Sequence, residues 1–144
     1  YKSELQWDLL QFASHSGMKY CVQKLNELYR SEPALYEKQF EQGGFEWIDL
    51  NHRSESVLVY KRKGKKPKDD VLVILNVTPV VRNDWEVYVH EKKQWTEIFN
   101  SNDKAFWGTG DVFNPAISAE LVDKSSKCYR LKVQLPALGA VVLR

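Results

Sequence analysis

Cysteine is scarce in this sequence: Cys21 and Cys128 stand far apart, too few for a disulfide scaffold and without a C-x-x-C pair for metal or redox chemistry. Two reduced thiols, as in a cytosolic protein, is the reading that follows. The three histidines, His15, His52 and His90, are scattered, so no metal-ligand spacing emerges and no metal or other cofactor is expected. No serine sits in a G-x-S-x-G elbow, which leaves Ser-His-Asp and Cys-His catalysis without support. No apolar run approaches the roughly 18 residues that cross a bilayer, and no secretory leader pattern opens the chain, so no membrane partner is expected. Internal repeats are absent. The first residue is Tyr1 rather than an initiator methionine, which fits a fragment or a processed product.

What is present is ordinary globular material: 144 residues, 43% hydrophobic and 28% charged. A chain of that length can bury about 70% of its unfolded surface, enough for a real core. Net charge is +2, but six of the 21 basic residues crowd into Lys61–Lys68, leaving the rest of the chain with more acidic than basic residues. A nucleic-acid reader carries a broad basic face. One basic spot on an acidic body argues against that class. The spot contains Gly64 and Pro67 and closes on Asp69-Asp70, the pattern of a solvated hairpin loop. Asn76-Val77-Thr78 matches a glycosylation sequon only in a secreted context; here it reads as the end of a strand, with Pro79 stopping the ladder.

The two parts of the chain differ in period. Met18, Cys21, Val22, Leu25, Leu28 and Tyr29 recur at steps of three and four, an apolar helical stripe. Ser16 is the expected N-cap, with Gly17 weakening that end, and Pro33 should stop the helix at Glu32. Leu5, Leu9 and Leu10 suggest a short apolar helix ahead of it, packed by Trp7. A further turn is expected to hold Ala34, Leu35 and Phe40 against the body, and Gly43-Gly44 ends the helical pattern.

From Phe45 onward the period becomes two. Eight strands are expected, near 45–50, 57–63, 71–77, 85–90, 94–99, 117–123, 129–135 and 138–143, with turn residues between them. Tyr129, Leu131, Val133 and Leu135 alternate with polar neighbours as in a half-buried strand, whereas Val71–Val77 is apolar almost throughout, as in a strand covered on both faces. Many short strands of even spacing predict a mainly β fold, an antiparallel β-sandwich preceded by short α-helices. The stretch 100–115 is the longest irregular segment.

Glu46 and Asp49 are the closest candidates for a carboxylate pair. A glycosidase needs its two carboxyls about 5–10 Å apart across a cleft, on separate elements, and these share one short strand. They read as solvated or hydrogen-bonded. Aromatic residues make up 12% of the chain. Trp85 lies in phase with Val87 and Val89 and is expected in the core; Trp95 falls in a strand and is expected to be structural. Trp47, where the two parts meet, and Phe106-Trp107 in the irregular segment are open to both packing and contact with a sugar ring, whose apolar face stacks on flat aromatics.

The strings Leu5-Gln6-Trp7-Asp8-Leu9-Leu10, Val22 to Arg30, Glu32-Pro33-Ala34-Leu35, Gly44-Phe45-Glu46-Trp47-Ile48-Asp49, Ser56-Val57-Leu58, Asn76-Val77-Thr78-Pro79-Val80 and Leu135-Pro136-Ala137-Leu138 follow one another in order. This series resembles the C-terminal end of bacterial 1,4-alpha-glucan (glycogen) branching enzymes, over nearly the whole chain. It departs where the family has Phe in place of Val77 and a second Pro in place of Ala137; the segment around Trp107 matches loosely.

The resemblance implies a place in a larger enzyme of the alpha-amylase clan: residues 1–42 as the last helical segment of a (β/α)8 catalytic barrel, and 43–144 as the C-terminal all-β domain. Such enzymes cut an α-1,4 linkage and rejoin the chain through an α-1,6 linkage by a retaining double displacement. The Asp and Glu that do so lie upstream, and no residue here matches their motifs. The chain is therefore expected to be inactive alone and cytoplasmic, with α-glucan and the missing barrel as partners and a tendency to self-associate through its exposed N-terminal helices. Phe45, Trp47 and Trp107 are the carbohydrate-contact candidates. A stand-alone carbohydrate-binding module, a purely structural domain, and the C-terminal domain of another alpha-amylase relative remain as alternatives.

Overall fold

The computed structural model describes residues 4–52 and 54–144. A 3-10 turn, Trp7–Gln11, leads into α1 (Ala13–Ser31), and α2 (Pro33–Tyr36) follows after a break. The break has the expected cause: Glu32 is extended (φ −97°, ψ 106°) because the residue before a proline is driven out of the α region, and Pro33 then opens α2. The start differs from expectation. Phe12, not Ser16, is the N-cap, and the Ser16 hydroxyl donates back to the carbonyls of Phe12 (3.1 Å) and Ala13 (3.2 Å) from inside the helix. Gly17 is the buried residue of α1. A Cβ there would stand 2.9 Å from the Phe106 carbonyl carbon, so glycine lets the helix lie directly on the 100–110 segment.

The strands are β1 (Phe45–Asp49), β2 (Val57–Arg62), β3 (Val71–Asn76), β4 (Arg82–Val89), β5 (Gln94–Trp95), β6 (Glu97–Asn100), β7 (Ile117–Ser118), β8 (Glu120–Asp123), β9 (Cys128–Leu135) and β10 (Gly139–Leu143). All their pairings are antiparallel. Two expected strands are each divided. The run 94–99 splits at Thr96, whose backbone pairs with that of Arg144 (2.8 and 2.9 Å), so that β5 pairs with β7 while β6 joins another sheet. The run 117–123 splits in the same way into β7 and β8.

A five-stranded sheet of order β1-β2-β3-β10-β6 faces a three-stranded sheet of order β4-β9-β8. Val57, Val59, Leu72, Ile74, Val141 and Leu143 of the first pack against Val87, Val89, Leu131, Val133 and Leu135 of the second, and Trp95 is fully buried among them. Trp85 is only partly buried at the edge of this core. On the opposite face of the larger sheet, Val71, Val73, Phe99 and Val142 meet Ala34, Cys21, Leu28 and Leu35 from the helices. β3 thus lies between two apolar layers, which is why its sequence does not alternate.

Three further side chains depart from their expected places. Phe40 is 95% exposed and holds nothing against the body, and Trp7 is 67% exposed beside an open groove against α1 rather than packed. Lys61 is 3% exposed on the sandwich side of β2, where the alternation of Val57 and Val59 calls for an apolar residue. The basic run is therefore not wholly a solvated loop. Its first member is drawn inside by Glu91 at 2.5 Å, with Glu46 at 4.0 Å.

Candidate functional site

Phe45 and Trp47 are two apart on β1 and so share a face. Gly44 sets where this strand begins, because a Cβ there would run into the Lys38 carbonyl oxygen at 2.0 Å. Antiparallel pairing places Tyr60 of β2 directly across from Trp47. The Phe45 ring stacks on Tyr60 (centroids 5.2 Å, 26°), and Trp47 stands edge-on to both, at 4.8 Å from Phe45 and 5.9 Å from Tyr60. A register shift after Trp47 bends the strand at this point. Trp47 is 50% exposed and Phe45 41%, whereas Tyr60 is half-buried against the helix-side core and its hydroxyl is pushed above the usual tyrosine range by burial.

Away from these rings, Ile48 packs against the sandwich core, and the two carboxylates of β1 are paired with basic side chains. Glu46 accepts from Lys63 at 2.6 Å, and this contact holds its carboxyl below the usual range. Asp49 sits 2.9 Å from His52. Each carboxylate is engaged in its own pair. Behind them, burial raises Asp70, whose carboxylate accepts from the Gly64 amide (3.0 Å), and lowers Lys93, which lies 4.0 Å over the Trp95 ring.

Trp107 belongs elsewhere. It ends the 3-10 turn Lys104–Phe106 in the left-handed region (φ 68°, ψ 21°) beside Gly17 and is 67% exposed. Phe106 stacks on Phe99 of β6, so this turn sits at the β6 edge of the five-stranded sheet, with β1 at the other. Four inter-strand steps of about 4.8 Å separate the two edges, about 19 Å. Of the three sequence candidates, Phe45 and Trp47 come together and Trp107 does not join them. Tyr60 is the member that sequence reasoning missed. Its place on the outward face is legible from the alternation Leu58, Tyr60, Arg62, but its juxtaposition with Trp47 depends on strand register.

The trio offers flat rings with part of their surface open and no nucleophile or acid–base pair among them. Flat, partly open rings of this kind can stack on an apolar ring face. Among the described residues, no group of three or more His, Cys, Asp and Glu is placed to hold a metal ion, and no helix is long and apolar enough to cross a membrane.

The family profile described as alpha amylase, C-terminal all-beta domain, matches residues 47–144. The chain belongs to this family of all-β domains. Among curated proteins it is 37% identical over 144 residues to the 1,4-alpha-glucan branching enzyme GlgB of Aquifex aeolicus, an alignment covering 100% of this chain and 23% of that protein. It is 42% identical over 144 residues to the enzyme of the same name from Cereibacter sphaeroides, covering 98% and 19%. Among solved structures, the alpha-amylase of H. orenii aligns with a TM-score of 0.47 and 21% identity over 86% of this chain and 19% of that one. The chain thus spans about a fifth of the length of the curated relatives it matches.

Proposed function

We propose that this chain is the non-catalytic C-terminal part of a 1,4-alpha-glucan branching enzyme, a glycosyltransferase that moves α-1,4-linked segments into α-1,6 branches during glycogen synthesis. The observation that carries this reading is the alignment of the whole chain, at 37–42% identity, with branching enzymes about five times its length. Residues 1–42 then close the catalytic barrel and 43–144 form the β domain that supports it. The catalytic carboxylates belong to the barrel, so the chain alone is inactive, and its compartment is the cytoplasm. The apolar side chains left open on the helices, among them Leu5, Trp7, Met18 and Val22, are what the barrel covers; without it, two copies associate through them.

Phe45 and Trp47 serve as a stacking surface for a glucan that runs off the barrel, and Trp107 is a separate contact on the β6 side. The exposure of both rings in one cluster with Tyr60 supports this role. The test is a titration of glycogen or a long maltooligosaccharide into the chain, followed by tryptophan fluorescence. The expected result is a saturable change that Trp47→Ala weakens about tenfold, as loss of one good aromatic contact of about 1.4 kcal/mol predicts, with the far-ultraviolet circular dichroism unchanged. Loss of the fold in Trp47→Ala, or a titration indifferent to it, makes the trio a packing element and overturns the glucan role.

A further inference from the structure

A groove of about 450 Å³ runs between α1 and β6, on the far edge of the sheet from the Phe45–Trp47–Tyr60 cluster. Its floor is apolar: Leu28, Ile98, and the stacked rings of Phe99 and Phe106 (5.5 Å, 26°). Its rim is polar: Lys24, Glu27 and Ser31, which recur along one flank of α1, face Asp103 at the head of the following turn. On α1 this flank lies to one side of the inward row Gly17, Cys21 and Leu28; the open apolar residues Met18, Val22, Leu25 and Tyr29 lie to the other. The groove therefore stays accessible when a partner covers the apolar flank.

Each charged group at the rim is already engaged by a neighbour, Asp103 by a backbone amide rather than a cation. Lys24 donates to Glu27 at 2.6 Å, and Glu32 receives Arg144 at 3.0 Å; the Asp103 carboxylate caps the Ala105 amide at 2.8 Å. An anion meets three carboxylates here, and a cation meets Lys24 and Arg144. A neutral ligand with an apolar ring face and several hydroxyls meets neither obstacle. The ring face can lie on Phe106, while the adjacent donor and acceptor of Lys24 and Glu27 suit neighbouring hydroxyls. The size falls in the range of small-molecule pockets, about 300–1,000 Å³.

We propose that the α1–β6 groove is a further carbohydrate subsite, separate from the aromatic cluster and not lined by Trp107, that takes a short stretch of a neutral glycan. That the glycan is an α-glucan, rather than another neutral sugar, rests on the function proposed above.

The test is a titration of maltotriose into the ¹⁵N-labelled chain, followed by backbone amide shifts, in the parent, Trp47→Ala and Ser31→Trp. Ser31 is exposed at the rim, so an indole there fills the groove without entering the core. The expected result is saturable shifts confined to residues 24–32 and 98–106, retained in Trp47→Ala and weakened at least tenfold in Ser31→Trp, with shifts elsewhere unchanged. Shifts that saturate only around β1 and vanish in Trp47→Ala overturn the groove site while leaving the aromatic cluster standing. No saturable shift in the groove, or shifts there with inorganic phosphate or spermidine but not with maltotriose, also overturns it. Groove shifts with cellotriose or another neutral trisaccharide equal to those with maltotriose keep the groove site but count against the α-glucan assignment.

Discussion

Lys61→Met is the substitution for which the packing makes the sharpest forecast. The methionine keeps most of the buried stem and its contacts, but it strips Glu91 of the ammonium 2.5 Å away and relieves Glu46 of a partner at 4.0 Å. Removing one partner from a buried ion pair costs about 3–5 kcal/mol, because the remaining charge stays desolvated and unpaired. Glu91 is 26% exposed and Glu46 retains Lys63, so water and the second cation recover part of that loss. The expected destabilisation is about 2–3 kcal/mol. Lys61→Met with Glu91→Gln removes both charges together with their desolvation and should return to within about 1 kcal/mol of the parent. Urea unfolding of the parent, both single variants and the double variant at pH 7 gives the coupling energy, expected at about 1.5–3 kcal/mol. A single variant within about 0.5 kcal/mol of the parent, or a double variant no more stable than Lys61→Met, would refute the reasoning. The pair also bears on the candidate site: Lys61 fixes β2 from the sandwich side while its neighbour Tyr60 underlies Phe45 on the other face.

Gly17→Ala should destabilise by about 1 kcal/mol, since the gain of about 1 kcal/mol in helix propensity is outweighed by the clash with the Phe106 backbone; a melting temperature raised rather than lowered by about 2–4 °C contradicts this. Asn114→Ala should cost about 2–4 kcal/mol: this side chain, 2% exposed, donates to Glu97 (2.6 Å) and to the Gln134 carbonyl (3.0 Å) and accepts from the Gln134 amide (2.7 Å), taking the place of a neighbouring strand. Hydrogen exchange should speed up through 100–114 in that variant, and unchanged protection there counts against it. Asp123 is held at about 2, from an ordinary 3.8, by Ser126 and Ser125, so the unfolded chain binds the extra proton between those values and stability falls as pH drops through that window; Asp123→Asn should flatten the fall. Asp70 has the opposite sign. Its carboxyl is raised by burial, so its favourable contribution is present at low pH and lost as pH rises, and Asp70→Asn should raise the melting temperature at pH 7 but not at pH 3.

The sandwich was legible because burial on one face writes a period of two into the chain, and β4, β9 and β10 lie close to where that period places them. The break at Thr96 was not, since it depends on a backbone pairing with Arg144 that no side-chain pattern encodes. Lys61 misled for a related reason. A lysine in a basic run reads as solvent-facing, and the Glu91 that draws it inside is distant in sequence. At the candidate site, the two-residue spacing of Phe45 and Trp47 announced a shared face, whereas Tyr60 required the register of β2 against β1. Trp107 looked equivalent in sequence, and only the sheet order, with β1 and β6 at opposite edges, separates it from the other two.

The helical layer is fastened unevenly. At its C-terminal end the Glu32 carboxylate, 7% exposed, receives Arg144; Arg62 donates to the Leu35 carbonyl at 3.1 Å, and the Lys65 amide donates to Glu37 at 2.8 Å. These contacts tie the end of α1 and all of α2 to three different parts of the sandwich. The N-terminal half of α1 meets the 100–110 segment through Gly17 and through Tyr20 on Phe106 (5.7 Å), while Leu5, Trp7, Phe12 and Met18 are all more than half exposed. A helix held by charge-assisted bonds at one end and by a few ring contacts at the other opens from the weaker end, and local opening there costs much less than global unfolding. A large partner seated on the open apolar flank would reverse that gradient. In the parent enzyme proposed above, the weakest part of this chain in isolation therefore becomes part of the buried interior, and the sandwich gains a second anchor along the length of α1.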